Sequence, residues 1–173
     1  IGAGSAAWSA VLIRDLCLTR GLWGSTVSFM DVNEERLDVV YSFAKRYAAE
    51  TKVDLKFEKT MDRSESLRDA DFVFNTALAG GHESYEIQRK VAENHGYYRG
   101  IDSVDHNMVS DYYTVGGYNQ LRLFLDVARD IEEICPDAWL IQTANPVFEG
   151  CTLLTRKSKL KVVGLCHGHL GYE

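Results

Sequence analysis

The sequence predicts an α/β fold with a doubly wound parallel sheet, and three observations predict it. Short apolar runs of strand length alternate with longer segments of helical periodicity along the chain of 173 residues. The run Phe72-Val73-Phe74 is continuously apolar, as in a central parallel strand covered on both faces. A glycine-rich turn, GAGSAA at residues 2–7, lies where a strand would pass into the first helix.

The first part of the chain predicts helix, strand, helix and strand in that order. Apolar positions compatible with a helix predict one over residues 5–20, which Gly21 would end. Residues 26–30 predict a strand that ends at Asp31, and residues 34–50 predict a helix with one apolar face. Leu55-Lys56-Phe57 alternates like a strand with one exposed side.

The second part continues the alternation. After the strand at 72–74, helices are predicted from about residue 85 to 94 and from about 117 to 134. A strand at 139–141, a short helix at about 147–156 and a strand at 162–163 follow. Because no low-complexity linker interrupts the pattern, we interpret residues 1–173 as one domain.

Composition and charge exclude several classes of partner. Nineteen basic and twenty-five acidic residues give a net charge of −6, and no basic run resembles a nucleic-acid footprint. No apolar stretch is long enough to span a membrane, so we expect a cytoplasmic protein. The four cysteines are irregularly spaced, which favours free thiols over disulfides; they are Cys17, Cys135, Cys151 and Cys166.

The glycine-rich turn is the first candidate binding site. In the pattern G-x-G-x-x-A, Gly2 permits the tight turn, Gly4 allows a pyrophosphate to approach the backbone, and Ala7 allows close packing of helix and strand. Ser5 lies in the same turn. This is the pattern of a Rossmann-like dinucleotide-binding fold, although such turns also occur with no ligand.

Two strand-end residues extend the candidate site. Asp31 ends the second predicted strand, where a carboxylate accepts hydrogen bonds from an adenosine ribose and repels a 2′-phosphate. It favours NAD over NADP, unless the segment only caps the next helix. Asn75 ends the next apolar strand before Gly80-Gly81, and it either contacts the cofactor or satisfies its own turn.

A second group of polar residues follows the last two strands. Asn145 precedes Pro146 after one strand, and Cys166-His167 follow the other. Each has an ordinary structural interpretation, such as an Asx turn, a small buried cysteine or a hydrogen-bonded core histidine. Because ligands bind beyond the carboxyl ends of parallel strands, we expect an amide, a thiol and an imidazole at the edge that binds the dinucleotide.

Several motifs, spread over essentially the whole chain, resemble one enzyme family. They are GAGSAAW at 2–8, NMVSDYYT at 107–114, TANPVFEG at 143–150 and VGLCHGH at 163–169. Together they resemble glycoside hydrolase family 4, the glycosidases that depend on NAD and a divalent metal. With HGYYRGID at 95–102, the chain looks closest to the α-glucosidase branch.

The resemblance implies a role for individual residues. Cys166 matches the cysteine that holds Mn²⁺ in the family, together with a histidine from a later segment. Asn145 matches a residue that hydrogen-bonds the sugar, and His167 the position that supplies the acid for the leaving group. Asp111 matches an acidic position near the catalytic base, which is expected beyond Glu173. His169 does not match the second metal ligand.

The implied reaction explains why a hydrolase would contain a dinucleotide fold. NAD⁺ oxidises the 3-hydroxyl of the sugar, the proton at carbon 2 becomes acidic, and Mn²⁺ polarises the ketone. Elimination breaks the glycosidic bond at carbon 1, water adds, and NADH returns its hydride. The expected activity is therefore hydrolysis of α-glycosides, with α-glucosides of the maltose type as the expected substrates.

Two other functions stay open at the level of sequence. One is an NAD-dependent dehydrogenase of the lactate or malate type, in which Arg99 could bind a carboxylate but Cys166 has no purpose. The other is a non-catalytic NAD-binding fragment, because the chain begins without Met and stops just after the cysteine. We expect the N-terminal part of a longer, homodimeric enzyme, inactive without its C-terminal part.

Overall fold

The structure is a computed structural model, and it describes residues 1–98 and 117–166. Contacts divide the chain into two compact units, Ile1–Ala70 and Asp71–Glu173. In each unit every pair of neighbouring strands is parallel, and helices connect the strands. The predicted class, parallel α/β, is therefore confirmed.

Unit 1 contains a two-stranded parallel sheet. Its elements are α1 (Ala6–Leu18), a single 3₁₀ turn (Arg20–Leu22), β1 (Thr26–Met30), α2 (Glu34–Thr51), β2 (Lys56–Thr60) and α3 (Arg63–Leu67). The register pairs Thr26 with Lys56 and Met30 with Thr60. Ile13 of α1, Phe29 of β1 and Leu37 of α2 lie in one buried apolar cluster, which fixes both helices against the sheet.

Unit 2 contains a three-stranded parallel sheet in the order β3-β4-β5. Among its described residues the elements are β3 (Phe72–Asn75), α4 (Gly81–Asn94), α5 (Gly117–Ile134), β4 (Trp139–Gln142), α6 (Val147–Lys157) and β5 (Lys161–Gly164). In the last row of the sheet Asn75 pairs with Gln142, and Gln142 pairs with Gly164. Three polypeptide segments therefore leave the sheet side by side at its carboxyl edge.

Most predicted elements are confirmed, although α4 begins at Gly81 rather than at about residue 85. Two further differences have identifiable reasons. The strand predicted at 55–57 begins at Lys56 and continues to Thr60, because its backbone pairs with β1 over all five residues and its exposed positions tolerate charged side chains. The short helix α3 was not predicted, since its five residues are too few to show a periodicity. Asp62 caps this helix by accepting hydrogen bonds from the backbone N–H groups of Ser64 and Glu65.

Helices α5 and α6 pack closely at Gly150. A Cβ atom on Gly150 would lie 2.7 Å from Cε2 and 2.9 Å from Cδ2 of Phe124, whose ring is fully buried. A rigid buried ring cannot withdraw as the end of a flexible side chain could. Gly150 is therefore required by the contact between the two helices.

We expect Gly150→Ala to lower the free energy of unfolding by about 1 kcal/mol, measured by urea denaturation. Overpacking costs about 1–3 kcal/mol, and the better helix propensity of alanine returns up to about 1 kcal/mol. The control is Gly21→Ala, because a Cβ at Gly21 would meet no atom within 4 Å. A Gly150→Ala protein at least as stable as the wild type would contradict the packing described for this contact.

Candidate functional site

The glycine-rich turn lies against the end of β1. The backbone N–H groups of Gly2 and Ala3 both donate to the carbonyl of Met30, at 2.9 and 3.0 Å. The hydroxyl of Ser9 donates to the carbonyl of Ala3 at 2.6 Å, in a buried position. Gly2 has a φ of 83°, a left-handed conformation that glycine adopts without strain. These contacts fix the path of the turn before α1 begins.

Gly4 and Asp31 are in direct contact. The N–H of Gly4 donates to Oδ2 of Asp31 at 2.7 Å, and Oδ1 accepts from the N–H of Asn33 at 2.9 Å. A Cβ atom on Gly4 would lie 2.8 Å from both Cγ and Oδ2 of Asp31. The position therefore requires glycine, and the turn and the strand-end carboxylate form one rigid group.

This group fits a dinucleotide. The first turn of α1 contains no acidic residue, and the side chain of Ser5 makes no capping hydrogen bond. The nearby carboxylate of Asp31 lies outside the helix and accepts from the N–H groups of Gly4 and Asn33. The positive end of the helix dipole could therefore attract a pyrophosphate. The Asp31 carboxylate has further acceptor positions beyond its two backbone bonds, and these could accept from ribose hydroxyls.

Asp31 is not the cap of α2. The residue that caps this helix is Asn33, whose Oδ1 accepts from the N–H of Arg36 at 2.9 Å. The carboxylate of Asp31 instead joins the strand end to the glycine-rich turn. The segment thus caps α2 through Asn33 and also places Asp31 beside the glycine-rich turn, and the role of Asp31 in binding a dinucleotide stays a prediction.

We expect Asp31→Asn to lower the preference for NAD over NADP about tenfold or more, because it removes the charge that repels a 2′-phosphate and weakens hydrogen bonds to the ribose. The dissociation constants of both dinucleotides, measured by calorimetry, give the preference. Asp62→Asn is the matched control, since Asp62 also follows a strand and accepts backbone N–H groups. Equal effects of the two substitutions would show that Asp31 has only a local structural role.

In unit 2 the side chain of Asn75 is fully buried. Its Nδ2 donates to Oε1 of Gln142 at 3.0 Å, and its Oδ1 accepts from the N–H of Ala77 at 3.2 Å. Its carbonyl accepts from the N–H groups of Thr143 and Ala144. Asn75 thus joins the ends of two strands in the structure, and its contact with a cofactor stays a prediction.

Asn145 and Cys166 follow neighbouring strands of the same sheet. Asn145 is half-buried, lies between the end of β4 and the start of α6, and forms a cis peptide bond with Pro146. Cys166 is exposed and lies two residues beyond the end of β5. Since β4 and β5 pair in parallel, both residues belong to the carboxyl edge of unit 2, as predicted. Their roles in binding sugar and metal stay predictions.

The environment of Cys166 differs from that of the other cysteines. Burial raises the pKa of the thiols of Cys17, Cys135 and Cys151, which disfavours the thiolate that binds a metal. Cys166 is the exposed member of the four. In residues 1–98 and 117–166 no three His, Cys, Asp or Glu side chains gather into a metal site. The exposed thiol of Cys166 could serve as one metal ligand, and that role stays a prediction.

Several predicted residues lie outside the described residues. They are Asp111 and His167, with predicted roles near the base and as the acid, together with His169 and Arg99. Their predicted roles therefore stay predictions. In the described part of the chain, none of the helices is long and apolar enough to cross a membrane.

Two buried amides beside the site were not identified from the sequence. Gln142 is fully buried at the end of β4, and Gln120 is buried on α5. Gln120 accepts from the N–H of Ala79 at 2.7 Å and donates to the carbonyl of Ala77 at 2.9 Å, which holds the loop after β3. In the sequence, the signal for each amide was a polar residue at a position where the periodicity predicts an apolar one. Such a signal is weak by itself.

Known proteins resemble the chain along nearly its whole length. An α-glucosidase of Erwinia rhapontici is 30% identical over 96% of the chain, and a 6-phospho-β-glucosidase of Escherichia coli K12 is 28% identical over all of it. The crystal structure of a 6-phospho-α-glucosidase from gut microorganisms, in complex with NAD and Mn²⁺, superposes with a TM-score of 0.81. It shares 20% identity over 95% of the chain and 37% of its own length, so this likeness establishes the fold alone.

The chain spans 36% and 38% of the lengths of the two curated relatives. Both are glycosidases by name, but one is named for an α-linked sugar and the other for a β-linked, phosphorylated sugar. The sequence profile of the family 4 glycosyl hydrolases matches residues 1–173. The chain therefore belongs to the family 4 glycosyl hydrolases.

Proposed function

We propose that this chain is the N-terminal, NAD-binding part of a longer glycosidase that hydrolyses α-glycosides with NAD and Mn²⁺ as cofactors. We propose α-glucosides as its substrates, on the basis of the motif HGYYRGID and the relative from Erwinia rhapontici. The relatives that act on phosphorylated or β-linked sugars are the reason to test those substrates in parallel.

One observation supports the hydrolase over a dehydrogenase. An exposed thiol, Cys166, and the half-buried amide of Asn145 follow two neighbouring parallel strands. A dehydrogenase acting on a hydroxy acid needs cationic groups for a carboxylate and has no use for such a thiol. A thiolate and an amide suit a metal ion and the hydroxyl groups of a sugar.

In unit 1 the chain's own residues would bind and orient the dinucleotide. Gly2, Gly4 and Ser5 would form the turn that lets the pyrophosphate approach the N-terminus of α1, and Asp31 would accept from the adenosine ribose. Bound NAD⁺ would accept a hydride from carbon 3 of the sugar and later return it, so no net oxidation occurs. The preference for NAD over NADP would come from the negative charge of Asp31.

In unit 2 the residues would bind the metal and the sugar. Cys166 would supply a thiolate ligand, with the second protein ligand outside this chain, and Asn145 would hydrogen-bond a sugar hydroxyl. Bound Mn²⁺ would polarise the carbonyl oxygen at carbon 3 and so acidify the proton at carbon 2. His167 would protonate the leaving oxygen at carbon 1, and Asp111 would orient the base. Because thiolate is a soft ligand and Mn²⁺ prefers oxygen ligands, we expect the site to bind Mn²⁺ weakly and to accept other divalent metal ions in its place.

The ratio of products tests the proposal. The full-length enzyme should release free sugar from an α-glucoside while the absorbance of reduced nicotinamide stays constant at steady state. A dehydrogenase would instead accumulate one NADH for each substrate molecule consumed, and that result would refute the proposal. Residues 1–173 alone should bind NAD without turnover, because the second metal ligand and the base are expected elsewhere.

The same proposal includes the cellular location and the oligomeric state of the enzyme. A thiolate ligand must stay reduced, so we propose a cytoplasmic location, in the compartment that keeps thiols reduced. We further propose a homodimer, which size-exclusion chromatography of the full-length enzyme would test.

A further inference from the structure

Gln142 is a fully buried amide at the last position of β4. Its Oε1 accepts from Nδ2 of Asn75 at 3.0 Å, and its Nε2 donates to the carbonyl of Ala144 at 2.8 Å. Its backbone carbonyl accepts from the N–H of Leu165 at 3.0 Å. A central strand normally buries apolar side chains, so a fully satisfied amide at this position requires a specific explanation.

Two of the three partners of Gln142 directly precede the two candidate site residues. Ala144 precedes Asn145, and Leu165 precedes Cys166. Ala144 is held by a second hydrogen bond, since the carbonyl of Asn75 accepts from its N–H at 2.8 Å. Gln142 therefore holds both site segments, one through its side chain and one through its backbone.

Helix α6 restrains the same segments from the other side. A Cβ atom on Gly164 would lie 2.6 Å from Sγ of Cys151 and 2.9 Å from Cγ1 of Val147. The first two turns of α6 are thus in contact with the last residue of β5. Since α6 begins directly after Asn145-Pro146, little space remains for Asn145 or Cys166 to shift independently.

We infer that Gln142 is a positioning residue, which sets the place of Asn145 relative to Cys166 so that both can act on one sugar and one metal ion. The inference rests on the function proposed above. Gln142 itself is buried, and its hydrogen bonds are to Asn75, Ala144 and Leu165. Residues that hold the segments around a metal site fix the orientation of the groups that contact the metal. Their loss weakens metal binding without removing a ligand.

The experiment uses the full-length enzyme and the substitution Gln142→Met, which keeps the volume and removes the amide. Mn²⁺ binding is measured from the electron paramagnetic resonance signal of the free ion, with the product sugar present because Asn145 acts on the metal only through the bound sugar. NAD binding is measured by calorimetry, and the fold by the thermal midpoint. We expect the dissociation constant for Mn²⁺ to rise about 10- to 100-fold, with a far smaller change for NAD. Gln142→Asn keeps an amide, but its side chain is too short to reach Asn75 and Ala144 at once. It should weaken Mn²⁺ binding less than Gln142→Met does.

Ile131→Ala is the control, because Ile131 is equally buried in unit 2 but lies on α5. It should lower the thermal midpoint and leave Mn²⁺ binding intact. Equal Mn²⁺ affinity in the wild type and Gln142→Met would overturn the inference, as would equal weakening by Ile131→Ala. If Gln142→Met does not fold, Gln142→Asn decides by the same comparison. Should Cys166→Ala leave the Mn²⁺ affinity of the wild type unchanged, the proposed function fails and the inference fails with it.

Discussion

Gly4→Ala should weaken NAD binding by about a hundredfold, the upper range for losing hydrogen bonds to a charged group. The added Cβ would lie 2.8 Å from Cγ and Oδ2 of Asp31, so the carboxylate must move. Its movement would break the bond from the N–H of Gly4 and displace the acceptor proposed for the ribose. The methyl group would also occupy the space through which a pyrophosphate approaches the backbone. Calorimetric titration of the full-length enzyme with NAD measures the loss.

Gly21→Ala is the matched control for this substitution. Gly21 lies in the same unit, and a Cβ there would meet no atom within 4 Å. We expect the control to bind NAD as the wild type does. If Gly4→Ala also binds NAD normally while the protein stays folded, then the contact between Gly4 and Asp31 has no role in cofactor binding.

Cys166→Ala should raise the dissociation constant for Mn²⁺ by at least about a hundredfold, because loss of a ligand exceeds the loss of a supporting contact. Glycosidase activity should fall to background at ordinary metal concentrations. NAD binding should be unchanged, since the proposed dinucleotide contacts lie mainly in unit 1. Electron paramagnetic resonance of free Mn²⁺ and an assay of sugar release test both effects.

Cys135→Ala provides the cysteine control. Cys135 is buried at the end of α5, and burial raises the pKa of its thiol, so it is a poor metal ligand. We expect a modest loss of stability and no loss of Mn²⁺ affinity. An enzyme that binds Mn²⁺ equally well with alanine at position 166 would show that this thiol is not the ligand.

The order and type of the main elements could be predicted because their periodicity is strong. The helix predicted over 117–134 has the bounds of α5, and the strand predicted over 26–30 has those of β1. The ends of elements were harder to predict where an element continues from apolar into charged residues. Lys59 and Thr60 pair with the last two residues of β1, so β2 extends beyond its apolar residues, which an alternation of apolar residues does not reveal.

For the candidate site, sequence could predict the residues with recognisable chemistry. The glycine-rich turn and Asp31 are in contact as one group, although the direct bond from Gly4 could not be read from spacing. Gln142 was missed because its function depends on which backbone groups lie next to it after folding. No pattern in a single sequence shows that the residues before Asn145 and Cys166 both hydrogen-bond to one buried residue, one to its side chain and one to its backbone.

The fate of the proton at carbon 2 tests the proposed elimination reaction most directly. The full-length enzyme is incubated with an α-glucoside in D₂O together with NAD⁺ and Mn²⁺, and the released sugar is examined by nuclear magnetic resonance. Removal of that proton and its return from solvent predict deuterium at carbon 2 of the product. Rapid release of sugar with hydrogen fully retained at carbon 2 would contradict the NAD-dependent elimination and would indicate direct displacement at carbon 1.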